Sequence, residues 1–136
     1  MSDWNQAIID EFRANEGRVG GMFEGRTLLL LHHRGAKTGI ERTNPLAYQQ
    51  LDDSVAIFAS KGGAPPHPDW FHNIRANPDV TIEVGTETYR ARARVAEADE
   101  RKRIWEKQKV DWPGFSEYEE NTKGIREIPV VVLERS

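Results

Sequence analysis

Six short segments with the composition of β-strands, joined mostly by turns and seldom by helices, are the feature that most restricts the fold of this chain. The clearest pair flanks Gly85 as a hairpin, whose second arm alternates small or apolar residues with arginines. A doubly wound parallel sheet needs a helix between most successive strands. The pattern therefore predicts a mainly β (α+β) fold, a small antiparallel barrel with peripheral helices, with strands over 27–33, 44–50, 55–59, 80–84, 88–95 and 128–133.

Helical patterns lie outside these strands. Near the N-terminus, Ile8, Ile9 and Phe12 fall on one helical face, and the helix is expected to end before Gly17. Other helical segments are predicted over 69–76, 97–109 and 113–121. Since 136 residues leave room for one domain, we expect a single domain over 1–136, with an N-terminal helix and linker over 1–25 and the barrel over 26–136.

The composition excludes several classes of function. The chain has no cysteine, which excludes disulfides, thiolate metal sites and thiol catalysis. Its 22 acidic and 19 basic residues give a net charge of −3, so no nucleic-acid partner is expected. Among four histidines, His32 and His33 point to opposite faces of a strand, and no metal is predicted. The longest apolar run is four leucines, far short of the roughly 20 residues of a transmembrane helix, and a cytoplasmic location is expected.

The connection between the first two predicted strands has the composition of an anion-binding turn. Arg34, Lys37 and Arg42 supply charge, Thr38 supplies a hydroxyl, and glycines allow backbone N–H groups to converge. It is not a Walker phosphate loop, because alanine precedes the lysine and no helix follows. A solvated turn with exposed charges is the alternative.

A second such loop, Ser60-Lys61-Gly62-Gly63, follows the third predicted strand. If the two loops converge, Lys61 adds a fourth cation to a site for a phosphate-bearing ligand. The alternative is a Gly-Gly turn with an exposed lysine. Hydrolysis is a weaker interpretation, since Ser60 does not lie in a G-x-S-x-G elbow.

These stretches resemble the deazaflavin-dependent nitroreductase family of actinobacteria. The resemblance runs from about Thr27 to the C-terminus and rests on four ordered motifs: G-x-K-T-G-x-x-R-x-N-P-L from Gly35, S-K-G-G from Ser60, P-x-W-x-x-N-x-x-A-N-P from Pro68, and I-P-V-V from Ile128. It implies a six-stranded antiparallel split β-barrel, similar to FMN-binding oxidoreductases, that binds the deazaflavin coenzyme F420.

The resemblance also implies roles for individual residues. Matching positions place Lys37, Thr38 and Arg42 on the phosphate and acidic tail of the coenzyme, and a strand at Asn44 along its ring. The full implied cofactor-binding set is Lys37, Thr38, Gly39, Arg42, Asn44, Pro45, Leu46, Ala47, Phe58, Ser60, Lys61, Gly62, Asp69, Trp70 and Asn73.

On the substrate side, the resemblance implies an aromatic pair formed by Phe115 and Tyr118, with Tyr118 and Ser60 as catalytic proton or hydrogen-bond donors. A family member that activates nitroimidazole prodrugs has tyrosine at both aromatic positions. Here the first is phenylalanine, and Ala36 replaces a common arginine, so nitroimidazole reduction is not expected to be efficient.

The predicted function is therefore hydride transfer from reduced F420 to a small electron acceptor such as a quinone, an activated enone or a nitro compound. Two alternatives are a non-catalytic carrier that holds the deazaflavin or a lipid-like ligand in the same cleft, and an FMN-dependent oxidoreductase on the same barrel. A homodimer and peripheral membrane contact through the N-terminal helix are also predicted.

Overall fold

The computed structural model of the chain describes residues 3–15, 28–60 and 67–135. Six strands form a closed antiparallel barrel in the order β1-β2-β3-β6-β5-β4. The strands are β1 Leu28–Arg34, β2 Glu41–Gln50, β3 Ser54–Phe58, β4 Asp79–Val84, β5 Glu87–Val95 and β6 Val130–Arg135. The helices are α1 Asp3–Ala14, α2 Asp69–Ala76, α3 Ala98–Asp111 and α4 Gly114–Thr122.

Alternate residues of the strands fill the barrel interior. Leu29, Leu31 and Ile57 are fully buried there, and Trp70, Phe71 and Ile74 of α2 belong to the same apolar cluster. Helix α2 therefore packs onto the interior residues and closes one end of the barrel. A closed barrel of this size is filled by its own side chains, so a ligand has to bind at its rim.

The other helices cover the outside of the barrel. Ile104 and Trp105 of α3 pack with outward-facing residues of β3 and β6. Ile8, Ile9 and Phe12 of α1 pack with Leu28 and Leu30 of β1. Each helix thus buries its apolar face against a strand, which supplies most of its stabilisation.

The predicted elements all occur. The largest boundary difference is at β2, which begins at Glu41 rather than at Asn44, because Glu41 pairs with Arg34 at the end of β1. Tertiary pairing extends a strand into a segment with weak β propensity. The predicted linker over 17–25 lies outside the described residues.

Candidate functional site

The turn between β1 and β2 is closed by its own hydrogen bonds. The N–H of Gly35 donates to the carbonyl of Ile40, and the N–H of Gly39 donates to the carbonyl of Gly35, both at 2.9 Å. Gly39 has a φ of 71°, and a Cβ on Gly35 would lie 2.6 Å from Oγ1 of Thr38. The glycine N–H groups are bonded inside the turn rather than converging on a ligand, so the side chains are left to bind an anion.

The cations around this turn differ from the other basic residues in their pairing. The side chains of Arg34, Lys37 and Arg42 are exposed and have no hydrogen bond or ion pair with any residue in the described ranges. Several other basic side chains pair with carboxylates: Arg13, Arg92, Arg94, Arg101, Lys107, Lys109 and Arg135. Three unpaired cations in this stretch, against the one carboxylate of Glu41, leave a positive charge that favours a negatively charged ligand there.

A cleft of about 610 Å³ adjoins the turn. Arg42, Asn44 and Leu46 line it from the inward-facing side of β2, and Asp69 and Trp70 line it from the start of α2. The cleft thus has an apolar and aromatic wall beside Arg42, with the carboxylates of Glu41 and Asp69 also among its lining residues and the other cations of the turn nearby. Such a combination suits a flat ring that carries an anionic tail.

Five predicted cofactor residues therefore meet around one cleft. Pro45 and Ala47 lie on the opposite face of β2, where Ala47 packs beside α1. Asn73 is buried and reaches the turn through a hydrogen bond from the N–H of Ala36 to its Oδ1 at 2.9 Å. The predicted Lys61 and Gly62 lie outside the described residues.

His33 belongs to this site although the sequence suggested no role for it beyond the rejected metal site. It is 3% exposed and lines the cleft. Its Nε2 lies 2.6 Å from Oδ1 of Asn44, and its Nδ1 lies 3.1 Å from Nδ2 of Asn73. Burial, and secondarily the positive charge of Arg42, lower the pKa of His33, which favours the neutral imidazole.

Arg126 is a second residue that the sequence did not single out. Its Nη1 donates to the carbonyl of Ala59 and its Nη2 to the carbonyl of Ser60, both at 2.9 Å. Nη1 also lies 2.9 Å from Nδ1 of His67. Burial, followed by the charge of Arg126, lowers the pKa of His67, so the ring can accept this hydrogen bond. One guanidinium thereby joins the end of β3 to the residues that precede α2.

The predicted substrate-side aromatic residues lie in a different part of the molecule. Phe115 is 4% exposed, and its ring packs 5.4 Å from that of Phe58 and 5.2 Å from that of Tyr118. These three are not among the described residues that line the cleft. Their cluster belongs to the outer layer between the barrel and helices α3 and α4. A role for them beside the cofactor stays a prediction, as does the role of Ser60.

No group of three or more histidine and acidic side chains that could hold a metal ion occurs among the described residues. In the same part of the chain, no helix is long and apolar enough to cross a membrane.

Comparison with known proteins defines the class to which this fold and cleft belong. A solved structure of an F420-H2 dependent reductase is 36% identical, with a TM-score of 0.71, over 79% of this chain and 93% of that one. A second solved structure, described as a domain-swapped dimer, is 31% identical with a TM-score of 0.74, over 97% of this chain and 98% of that one. The barrel is that of the F420-dependent reductases.

The family follows from the sequence comparison. The family model of F420H(2)-dependent quinone reductases matches residues 4–135. An F420H(2)-dependent quinone reductase of Mycobacterium tuberculosis is 39% identical over 128 residues, which are 91% of this chain and 85% of that protein. The chain belongs to the F420H(2)-dependent quinone reductase family. The predictions of the fold, of coenzyme F420 and of an F420-dependent oxidoreductase are confirmed.

Proposed function

We propose that the cleft between β2 and α2 holds coenzyme F420, with its ring along Asn44 and Leu46 against Trp70 and its anionic part on Lys37 and Arg42. The observation that carries this proposal is the set of unpaired cations beside an apolar and aromatic cleft. The residues present fit the group, because a deazaflavin ring needs a flat apolar wall and its phosphate and acidic tail need positive charge.

When bound and reduced, the coenzyme supplies a hydride. We propose a quinone as the acceptor: one hydride and one proton convert it to a hydroquinone, and the reduced coenzyme becomes oxidised. The protein binds and orients both partners and excludes water from the cleft. The family resemblance predicts that Tyr118 and Ser60 donate a hydrogen bond or proton to the acceptor oxygen. Tyr118 does not line the cleft between β2 and α2, so this prediction is separate from the placement of the coenzyme.

Titration of the purified protein with oxidised F420, and in parallel with FMN, tests the cofactor assignment. We expect F420 to bind and FMN to bind much more weakly. At low salt, Lys37→Ala and Arg42→Ala should each weaken F420 binding by about tenfold, since a charge-assisted hydrogen bond contributes about 1.5–3 kcal/mol. The loss should shrink at high salt, where exposed charges are screened.

Lys102→Ala is the matched control, because Lys102 is an exposed lysine on α3, remote from the cleft. An equal loss in this control, or FMN binding without F420 binding, would overturn the proposed cofactor site. Oxidation of reduced F420 by a quinone then separates an enzyme from a carrier, which would bind the coenzyme without turnover.

A homodimer, a cytoplasmic location and membrane contact stay predictions. The domain-swapped dimer among the structural relatives supports a homodimer. Membrane contact through α1 has less support, because Ile8, Ile9 and Phe12 are already buried against the barrel. The division of the chain into an N-terminal segment and a barrel is likewise our proposal.

A further inference from the structure

Three side chains at the mouth of the barrel form one hydrogen-bonded chain, and a backbone group sets its direction. The N–H of Ala36 can only donate, so Oδ1 of Asn73, at 2.9 Å, is an acceptor. Nδ2 of Asn73 therefore faces Nδ1 of His33, at 3.1 Å, and donates to it. The proton of the neutral imidazole is consequently on Nε2, which donates to Oδ1 of Asn44 at 2.6 Å.

This series of hydrogen bonds decides which end of the Asn44 amide is available to a ligand. An unanchored carboxamide can present either its oxygen or its nitrogen, because the two ends have the same shape. Here His33 holds the oxygen. The Nδ2 of Asn44 is left as a donor without a hydrogen-bond partner in the described part of the chain, and Asn44 lines the cleft.

We propose that His33 is a positioning residue that acts through Asn44: it turns the Nδ2 donor of Asn44 toward a carbonyl oxygen on the ring of the bound coenzyme. Asn73 joins the same chain to the anion-binding turn at Ala36, so the ring side and the phosphate side of the cleft are held together. This inference rests on the proposed function, since it places the coenzyme in this cleft.

The arrangement requires a neutral His33. Protonation of Nδ1 would place two donors opposite each other, so Asn73 would have to turn and Asn44 would lose its anchor. The charged and titratable groups that face His33 are Arg42 of β2, His32 of β1 and Asp69 of α2. Burial has the largest effect and, with Arg42 and His32, outweighs the hydrogen bond to Asn44 and the charge of Asp69, which both raise the pKa, so the pKa of His33 is lowered from its usual range near 6.5.

A double-mutant cycle on F420 affinity tests whether His33 acts through Asn44. We expect His33→Leu and Asn44→Ala each to raise the Kd about five- to tenfold, the effect of one hydrogen bond. The double variant should bind no more weakly than Asn44→Ala alone. A general structural role for His33 predicts the opposite, namely losses that multiply in the double variant.

His33→Gln provides a second test that does not depend on the stability of the leucine variant. A glutamine amide has a donor group and an acceptor group, as the neutral imidazole does, and it does not titrate. We expect the wild type to lose F420 affinity as the pH falls through the lowered pKa of His33, which lies below the usual range near 6.5. His33→Gln should keep near-wild-type affinity without that loss. Ionisation of the coenzyme itself affects both proteins equally, so the difference between their pH profiles is the measurement.

The matched control is His72→Gln, because the His72 side chain is exposed on α2, packs beside His67 and Phe71, and has no hydrogen bond to His33, Asn44 or Asn73. It should retain the wild-type pH profile. The positioning role would be overturned if the losses of F420 affinity multiplied in the double variant. It would also be overturned if His33→Gln lost as much F420 affinity at acid pH as the wild type. Failure of the wild type to bind F420 at any pH would instead overturn the proposed function.

Discussion

The guanidinium of Arg13 on α1 donates two hydrogen bonds, of 3.2 and 2.8 Å, to the carboxylate of Glu83 on β4. Nε2 of His32 lies 2.6 Å from the same carboxylate. Two residues separated by 70 positions thus hold the N-terminal helix against the barrel, beside the apolar contact of α1 with β1.

Removing this ion pair should destabilise the fold in a pH-dependent way. The hydrogen bond from Arg13 is the largest cause that lowers the pKa of Glu83, followed on the same side by that from His32. A lowered folded pKa gives stability that is present above the unfolded pKa of about 4.3 and is lost as the pH falls through the folded pKa. Glu83→Gln should therefore lower the free energy of unfolding by about 1 kcal/mol at pH 7 and by less at acid pH. The value is kept small because the Arg13 side chain is 49% exposed, where solvent weakens an ion pair.

Urea unfolding at neutral and acid pH measures this difference. Asp79→Asn is the control, because Asp79 pairs with Arg92 on the surface and both side chains are mostly exposed. An equal loss in both variants, or a Glu83→Gln loss that does not shrink at acid pH, would contradict the assignment.

Gly35→Ala should strain the turn between β1 and β2, the predicted anion site. The added Cβ would lie 2.6 Å from Oγ1 of Thr38, closer than nonbonded atoms approach. We expect a loss of about 1–2 kcal/mol and weaker F420 binding. In a double variant, Thr38→Ala removes the clashing atom and should restore part of the stability that Gly35→Ala loses.

Gly114→Ala is the matched control for this substitution. Gly114 begins α4, and a Cβ there would make only ordinary contacts, 3.8 Å from the Trp112 ring. Alanine also favours the helix, so thermal unfolding should show no loss of stability. A similar melting-temperature decrease in both variants would show that the close approach at Gly35 is not the cause.

Arg126→Met should lower the stability of the fold and weaken the binding of reduced F420. The substitution leaves the carbonyls of Ala59 and Ser60 without their charged donor, which costs about 2 kcal/mol or more. Because these carbonyls lie at the end of β3 beside a predicted cofactor loop, we also expect a higher KM for reduced F420. Lys123→Met, on the same connection but exposed, should be near neutral.

Tyr118→Phe and Ser60→Ala test the catalytic assignment that comes from the family resemblance. If either hydroxyl donates to the acceptor oxygen, kcat for quinone reduction should fall about tenfold or more, with little change in F420 affinity. Tyr89→Phe is the control, since Tyr89 packs under Arg135 on the hairpin. If all three variants match the wild type, protons reach the acceptor from solvent.

The chain of His33, Asn44 and Asn73 shows where sequence analysis reaches its limit. His33 and Asn73 are 40 residues apart, and their hydrogen bond depends on how α2 closes the barrel. Periodicity places His33 on one face of β1 but does not say which face of α2 meets it. Its role was therefore absent from the sequence predictions.

The secondary structure and the composition of individual turns, in contrast, could be predicted from the sequence. Alternation and turn residues located every strand and helix, because those preferences act over a few neighbouring residues. The charged turn around Lys37 was likewise recognisable from its composition, and its role as an anion site stays a prediction. Ordered motifs then indicated the family, which the comparisons confirmed.

Only the tertiary structure decided which of these groups meet. The register of β1 with β2 places Asn44 opposite Leu31 and so turns it into the barrel mouth, and α2 adds Trp70 to the same cleft. The packing of α4 buries Phe115 in the outer aromatic cluster. Pairing register and helix docking depend on contacts between distant segments, and the sum of those contacts, rather than any local preference, sets the shape of the cleft.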